Sequence, residues 1–205
     1  MFEYILFDLD GTLTDPKEGI TTCVQHALKA FGIEEPDNDK LTLFIGPPLT
    51  ESFKEFYGFT DEQAQMGLVK YRERFSTVGW MENEIYPGME EMLKMLYEKG
   101  IKLAVASSKP RVFVEKILDY FNSAQYFNVV SGAELDGSRN HKQAVMKEAF
   151  VRLGIVKGVA PEDITDDNCA MTEEELNQIV AVSCAMVGDR KFDVNGAKAL
   201  LLLRR

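Results

Sequence analysis

The chain has 205 residues, 45% of them hydrophobic, with a formal charge of −10. That is enough apolar content for a packed core and enough length for one domain, or one domain with an insert, so wholesale disorder is excluded. The acidic balance argues against non-specific nucleic-acid binding, which needs Lys and Arg against phosphate, and no apolar run approaches a membrane span.

Phe2 to Phe7 is a short apolar run of β-formers bounded by Asp and Gly, and it predicts a buried parallel-type strand rather than a signal peptide. Asp15-Pro16-Lys17-Glu18 is a helix start, with Gly32 closing the helix after Phe31. Residues 38–82 are helical in pattern and poor in strand signals. Gly46-Pro47-Pro48 is a rigid turn, and Thr50–Tyr57 and Asp61–Phe75 read as amphipathic helices.

After Pro87-Gly88 the pattern changes. Met89, Met92, Leu93 and Leu96 stand at helical spacing up to Gly100. Strands are expected at Ile101–Ala106, Tyr126–Ser131 and Val180–Val187, and helices at Val112–Phe121, His141–Leu153 and from about Asp193. Lys157–Glu175 is acidic and reads as a surface loop, followed by a short helix at Thr172–Ile179. Strands alternating with helices imply right-handed βαβ units and hence an α/β fold with a parallel sheet. Cys23, Cys169 and Cys184 are odd in number and widely spaced. They read as reduced, space-filling thiols of a cytoplasmic protein.

Ligands of open α/β sheets bind beyond the carboxyl ends of the strands. There the sequence places Asp8-Leu9-Asp10-Gly11-Thr12, Ser107-Ser108-Lys109-Pro110 and Gly188-Asp189-Arg190-Lys191-Phe192-Asp193, with His141-Lys142 opening a nearby helix. Each alone has a bland reading: a turn aspartate, a helix-capping serine, a solvated lysine. Together, several carboxylates at one edge repel unless a cation joins them, and the oxygen-rich set Asp8, Asp10 and Asp189 suits Mg²⁺. Asp8 is placed as a nucleophile. Asp10, two residues on, is placed as general acid and base, while Ser107 and Lys142 would hold phosphate oxygens. Gly11 permits close backbone approach to phosphate.

These residues resemble the haloacid dehalogenase superfamily of phosphotransferases, whose four motifs map in order onto Asp8–Thr12, Ser107, Lys142 and Gly188–Asp193. Within it the chain looks like the phosphoglycolate-phosphatase-like subgroup, on the further strength of Phe44-Ile45-Gly46-Pro47-Pro48-Leu49 and Ser107-Ser108-Lys109-Pro110. The resemblance implies a Rossmann-like three-layer core from 1–14 and 84–205, with an inserted α-helical cap at 15–83. It implies a Mg²⁺-dependent phosphatase acting on a small phosphorylated molecule, with no nucleic-acid or membrane partner, as a monomer or homodimer. Asp8, Asp10 through its carbonyl, and Asp189 would hold the metal, with Asp193 in support. Gly11, Thr12, Gly46, Ser108 and Lys109 would contact substrate.

Two departures stand out. Residues 154–182 are longer and more acidic than the family's usual connection, and the chain stops soon after the fourth motif. A phosphosugar mutase and a catalytically silent phosphate-metabolite or protein-binding domain are the competing readings. Phe44, Phe53, Phe56, Tyr57, Tyr71, Arg72 and Trp80 are either cap core or substrate wall.

Overall fold

Apolar runs separated by helical stretches close into a parallel sheet in the computed structural model, which describes residues 2–136, 138–189, 193 and 195. The strands in chain order are β1 (Tyr4–Phe7), β2 (Thr14–Asp15), β3 (Glu84–Ile85), β4 (Lys102–Pro110), β5 (Val129–Ala133) and β6 (Cys184–Val187). The helices are α1 (Lys17–Lys29), α2 (Asn38–Leu41), α3 (Leu49–Tyr57), α4 (Asp61–Arg74), α5 (Met89–Glu98), α6 (Arg111–Tyr120), α7 (Lys142–Arg152) and α8 (Glu173–Val180). Of the helix expected from about Asp193, only residues 193 and 195 are described; Arg190, Lys191, Phe192, Val194 and the run Ala199–Leu203 lie outside the described residues.

The chain divides into two compact units, Met1–Leu13 with Ile85–Arg205, and Thr14–Glu84. In the first, four parallel strands stand in the order β5-β4-β1-β6, with Ile5 opposite Leu103 on one side and Ala185 on the other. Strand β1 is thus flanked by strands from much later in the chain, the arrangement that needs helical crossovers. Leu6, Ala104 and Ala106 pack with Val145, Met146, Ala149 and Phe150 of α7 and with Leu176 and Ile179 of α8. Helix α6 buries Phe113, Val114, Ile117 and Leu118.

Several features differ from the sequence expectation, among them the strand expected from Tyr126, which starts at Val129 after a helical turn at Ala124–Tyr126 and runs to Ala133. Strand β4 does not end at Ala106 but runs to Pro110, because β5 keeps pairing with it across a register shift between Ser107 and Pro110. The last strand starts at Cys184, not Val180. A capping box, in which the Thr172 hydroxyl accepts from the Glu175 N–H and the Glu175 carboxylate accepts from the Thr172 N–H, starts α8 and carries it through Val180. The segment expected to be a surface loop instead buries Ile164 and Cys169 against Ala144 of α7.

The second unit is helical apart from β2, which pairs with β3. Thr60 and Gln63 form a capping box at the start of α4. At α1 the N-cap is Pro16 rather than Asp15, and the Asp15 carboxylate, one residue before it, accepts the Lys17 N–H at 2.9 Å. Helix α1 comes close to the π-helical turn Phe75–Gly79 at Gly19, where a Cβ would lie 2.7 Å from the Glu82 carbonyl oxygen. Phe44, Phe53 and Tyr71 are buried and packed ring against ring, so they are core rather than open wall. Among the described residues no helix is long and apolar enough to cross a membrane.

Candidate active site

The carboxyl ends of β1, β4 and β6 lie side by side because these strands are hydrogen-bonded neighbours. Asp8 follows β1 directly. Its N–H donates to the Val187 carbonyl at 2.9 Å, and its Oδ1 accepts the Leu9 N–H at 2.8 Å. These bonds fix the carboxylate at the sheet edge. Lys142, the first residue of α7, sets its Nζ 3.0 Å from Asp8 Oδ1 and 2.5 Å from Asp193 Oδ1. Carboxylate oxygens of Asp8, Asp189 and Asp193 fall within 4.8 Å of one another.

Asp10 faces Lys109. The Lys109 ammonium donates to both Asp10 oxygens at 2.7 Å, and the two side chains are only 6% and 12% exposed. Burial pushes the Asp10 carboxyl above the usual carboxylate range. The Lys109 charge and hydrogen bonds pull the other way, and the neighbouring Asp8 charge adds to the rise. Ser107 is buried, and its Oγ accepts the Lys109 N–H at 3.3 Å. Ser107, Ser108 and Lys109 therefore sit inside β4 rather than after it.

The glycines have a sharper reason than phosphate access. Gly11 has φ 81°, and a Cβ there would lie 2.5 Å from Asp189 Oδ2. A Cβ on Gly188 would overlap the Asp193 side chain. Each glycine makes room for a carboxylate. Thr12 Oγ1 is buried with no hydrogen-bond partner among the described residues. Gly46 belongs to the second unit, where it is exposed with φ 102°.

The carboxylate oxygens of Asp8, Asp189 and Asp193 are hard anionic donors within reach of one another, and such a set fits a hard divalent cation such as Mg²⁺. The sequence marks Lys109 and Asp10 separately but carries no sign of their pairing, which the fold alone brings about by setting β4 beside β1.

Residues 5–161 match the model of the haloacid dehalogenase-like hydrolase family. The chain belongs to that family. A 5'-nucleotidase of Pseudomonas aeruginosa is 41% identical over 94% of this chain and 76% of its own length. The tyrosine-protein kinase PtkA of Mycobacterium tuberculosis is 35% identical over 96% of this chain, which spans only 59% of the kinase. Among solved structures, a predicted phosphatase from Clostridium acetobutylicum superposes with a TM-score of 0.80 at 39% identity, covering 97% of this chain and 81% of that one. The chain thus has the α/β parallel-sheet core of a hydrolase family, with Asp8 and Asp189 following strands β1 and β6, Lys109 in β4 and Lys142 opening α7.

Proposed function

We propose that the protein is a Mg²⁺-dependent phosphatase that hydrolyses a small-molecule phosphate monoester, phosphoglycolate-like or a nucleotide, through an aspartyl-phosphate on Asp8. The observation that carries this reading is the Asp8 carboxylate held 3.0 Å from the Lys142 ammonium and beside Asp189 and Asp193. Relatives named 5'-nucleotidase, phosphoglycolate phosphatase and pyrophosphatase support the class of substrate.

In this reading an Asp8 oxygen attacks phosphorus, and the bond from phosphorus to the ester oxygen breaks. Asp10 gives its proton to the departing alcohol. Burial shifts the Asp10 carboxyl toward its protonated form, the direction a proton donor needs, with Lys109 opposing it. A water then attacks phosphorus, Asp10 takes the proton back, and the bond from phosphorus to Asp8 breaks, releasing phosphate. Lys142 and Ser107 hold phosphoryl oxygens as charge shifts onto them. Lys109, with its ammonium on Asp10, is better read as the partner that orients Asp10 than as a direct substrate contact. Asp8, the Asp10 carbonyl and Asp189 would hold the metal, with Asp193 in support. Bound there, Mg²⁺ supplies positive charge where carboxylate and phosphate meet.

The 15–83 segment is proposed as a cap that chooses the substrate. Asp8→Asn removes the nucleophile and is expected to abolish Mg²⁺-dependent phosphate release from p-nitrophenyl phosphate. Undiminished turnover in that variant overturns the mechanism. Release with water as the sole acceptor separates hydrolysis from phosphoryl transfer to a sugar or a protein. A panel of phosphorylated metabolites then identifies the substrate.

A further inference from the structure

The acidic segment between α7 and β6 has no part in the reaction above, yet it is fastened to the helix that carries Lys142. Asp166 accepts two successive backbone N–H groups, from Asn140 at 2.9 Å and from His141 at 2.8 Å. Its own N–H donates to the Ser138 carbonyl at 3.4 Å. Beside it the buried Arg139 donates to the Pro161 and Ile164 carbonyls at 3.2 and 3.5 Å, and its guanidinium also lies 3.3 Å from Glu148 of α7. One turn further along, Ala144 packs on Ile164 and Cys169, and Lys147 donates to the Ala170 carbonyl at 3.1 Å and to Glu175 at 3.0 Å. Positions 140–141, 144 and 147 recur at helical spacing, so the segment runs along one face of α7.

This matters because Lys142 is an ammonium at the positive end of a helix, where the dipole disfavours it. The long lysine stem also leaves its head poorly fixed unless the Cα is held. The two peptide N–H groups that Asp166 grips immediately precede Lys142. A carboxylate at that end offsets the dipole as well.

We propose that Asp166 is a positioning residue for Lys142, fixing the entry into α7 so that Nζ stays between Asp8 and Asp193. The proposal rests on the reading of Lys142 as a phosphate-holding group. Contacts to the phosphoryl oxygens strengthen as charge develops, so loosening Lys142 lowers kcat more than it changes KM.

The test is steady-state kinetics of the full chain with p-nitrophenyl phosphate and Mg²⁺, alongside circular dichroism. Asp166→Ala is expected to keep the fold and to lose about tenfold in kcat, with KM within about twofold. Asp166→Asn retains one acceptor and is expected to recover part of that loss. Asp167→Ala makes the same change of charge at an exposed neighbour and is expected to match wild type. A folded Asp166→Ala with wild-type kcat overturns the proposal, as does a loss that Asp167→Ala shares. If Asp166→Ala does not fold, Asp166→Asn decides: a fall of about threefold in kcat supports positioning, and no fall overturns it. Lys142→Ala separates the two readings. Wild-type turnover there means the reading of Lys142 itself is wrong. Lost turnover there with a fully active Asp166→Ala means only the positioning claim is wrong.

Discussion

At the scale of single residues, the candidate site is organised by two lysines with different partners. Lys142 bridges Asp8 and Asp193, while Lys109 grips Asp10 with both hydrogen bonds at 2.7 Å. A carboxyl that gives and then takes a proton needs a fixed direction and a proton affinity near working pH. Burial raises the proton affinity of Asp10, and Lys109 limits the rise while holding the group still. Lys109→Met leaves a methylene stem of similar length without the charge. In the proposed reaction it is expected to lower kcat by roughly a hundredfold, the scale of a misdirected acid–base group, with a much smaller change in KM. Steady-state kinetics with an aryl phosphate checks this. A variant in which KM rises and kcat holds would return Lys109 to the substrate-contact role.

At the scale of elements, α4 ends in a charged clasp. Arg74 donates through both guanidinium nitrogens to Glu82, at 2.5 and 2.7 Å, and also contacts the Cys23 thiol of α1 at 3.4 Å. The clasp joins the turn after α4 to α1 within the second unit. The hydrogen bonds from Arg74 hold the Glu82 carboxyl below the ordinary glutamate range. A carboxyl depressed on folding adds stability above its unfolded value and loses it as pH falls through the folded value. Both partners are about one-quarter exposed, so the gain is about 1 kcal/mol at neutral pH. Glu82→Gln is therefore expected to lower the urea midpoint at pH 7, with the difference from wild type shrinking as the pH is taken down below the ordinary glutamate range. The strands of the four-stranded sheet and most helices were legible in the sequence, because apolar runs and glycine stops are local signals, whereas the two-residue strands β2 and β3 carry too little pattern to be read. The segment 154–182 was not legible either. Lys147, Glu148 and Glu175 look like a solvated face in sequence, yet all three are buried with partners, since α8 folds back onto α7. Likewise Asp166 stands among several acidic residues, and nothing local marks it as the one that meets Asn140 and His141. The positions of Asp8 and Asp189 were legible because each follows a strand end. Pairings across distant strands, such as Lys109 with Asp10, need the fold.

At the scale of the whole molecule, a chain of charge −10 concentrates part of its surplus in one place. Asp8, Asp10, Asp189 and Asp193 all belong to the unit formed by Met1–Leu13 and Ile85–Arg205, where, among the described residues, Lys109 pairs with Asp10 and Lys142 with Asp8 and Asp193. The close approach of the Asp8, Asp189 and Asp193 carboxylates costs folding free energy through like-charge repulsion. A cation that binds the folded site and not the unfolded chain relieves it by mass action, contributing about 2.7 kcal/mol at a hundred times its dissociation constant. For a chain of this size that corresponds to a rise of about 5–10 °C in Tm. Any salt screens an acidic surface, so the comparison is MgCl₂ against NaCl at equal ionic strength. Thermal melts are expected to shift upward with Mg²⁺ beyond the NaCl control and to return on chelation with EDTA. Asp189→Asn removes one of the three clustered carboxylates, so its melt should shift with Mg²⁺ no further than with NaCl. Equal shifts for the two salts in the wild-type chain would mean that the carboxylates act only as surface charge, and the metal-dependent part of the mechanism would fall with them.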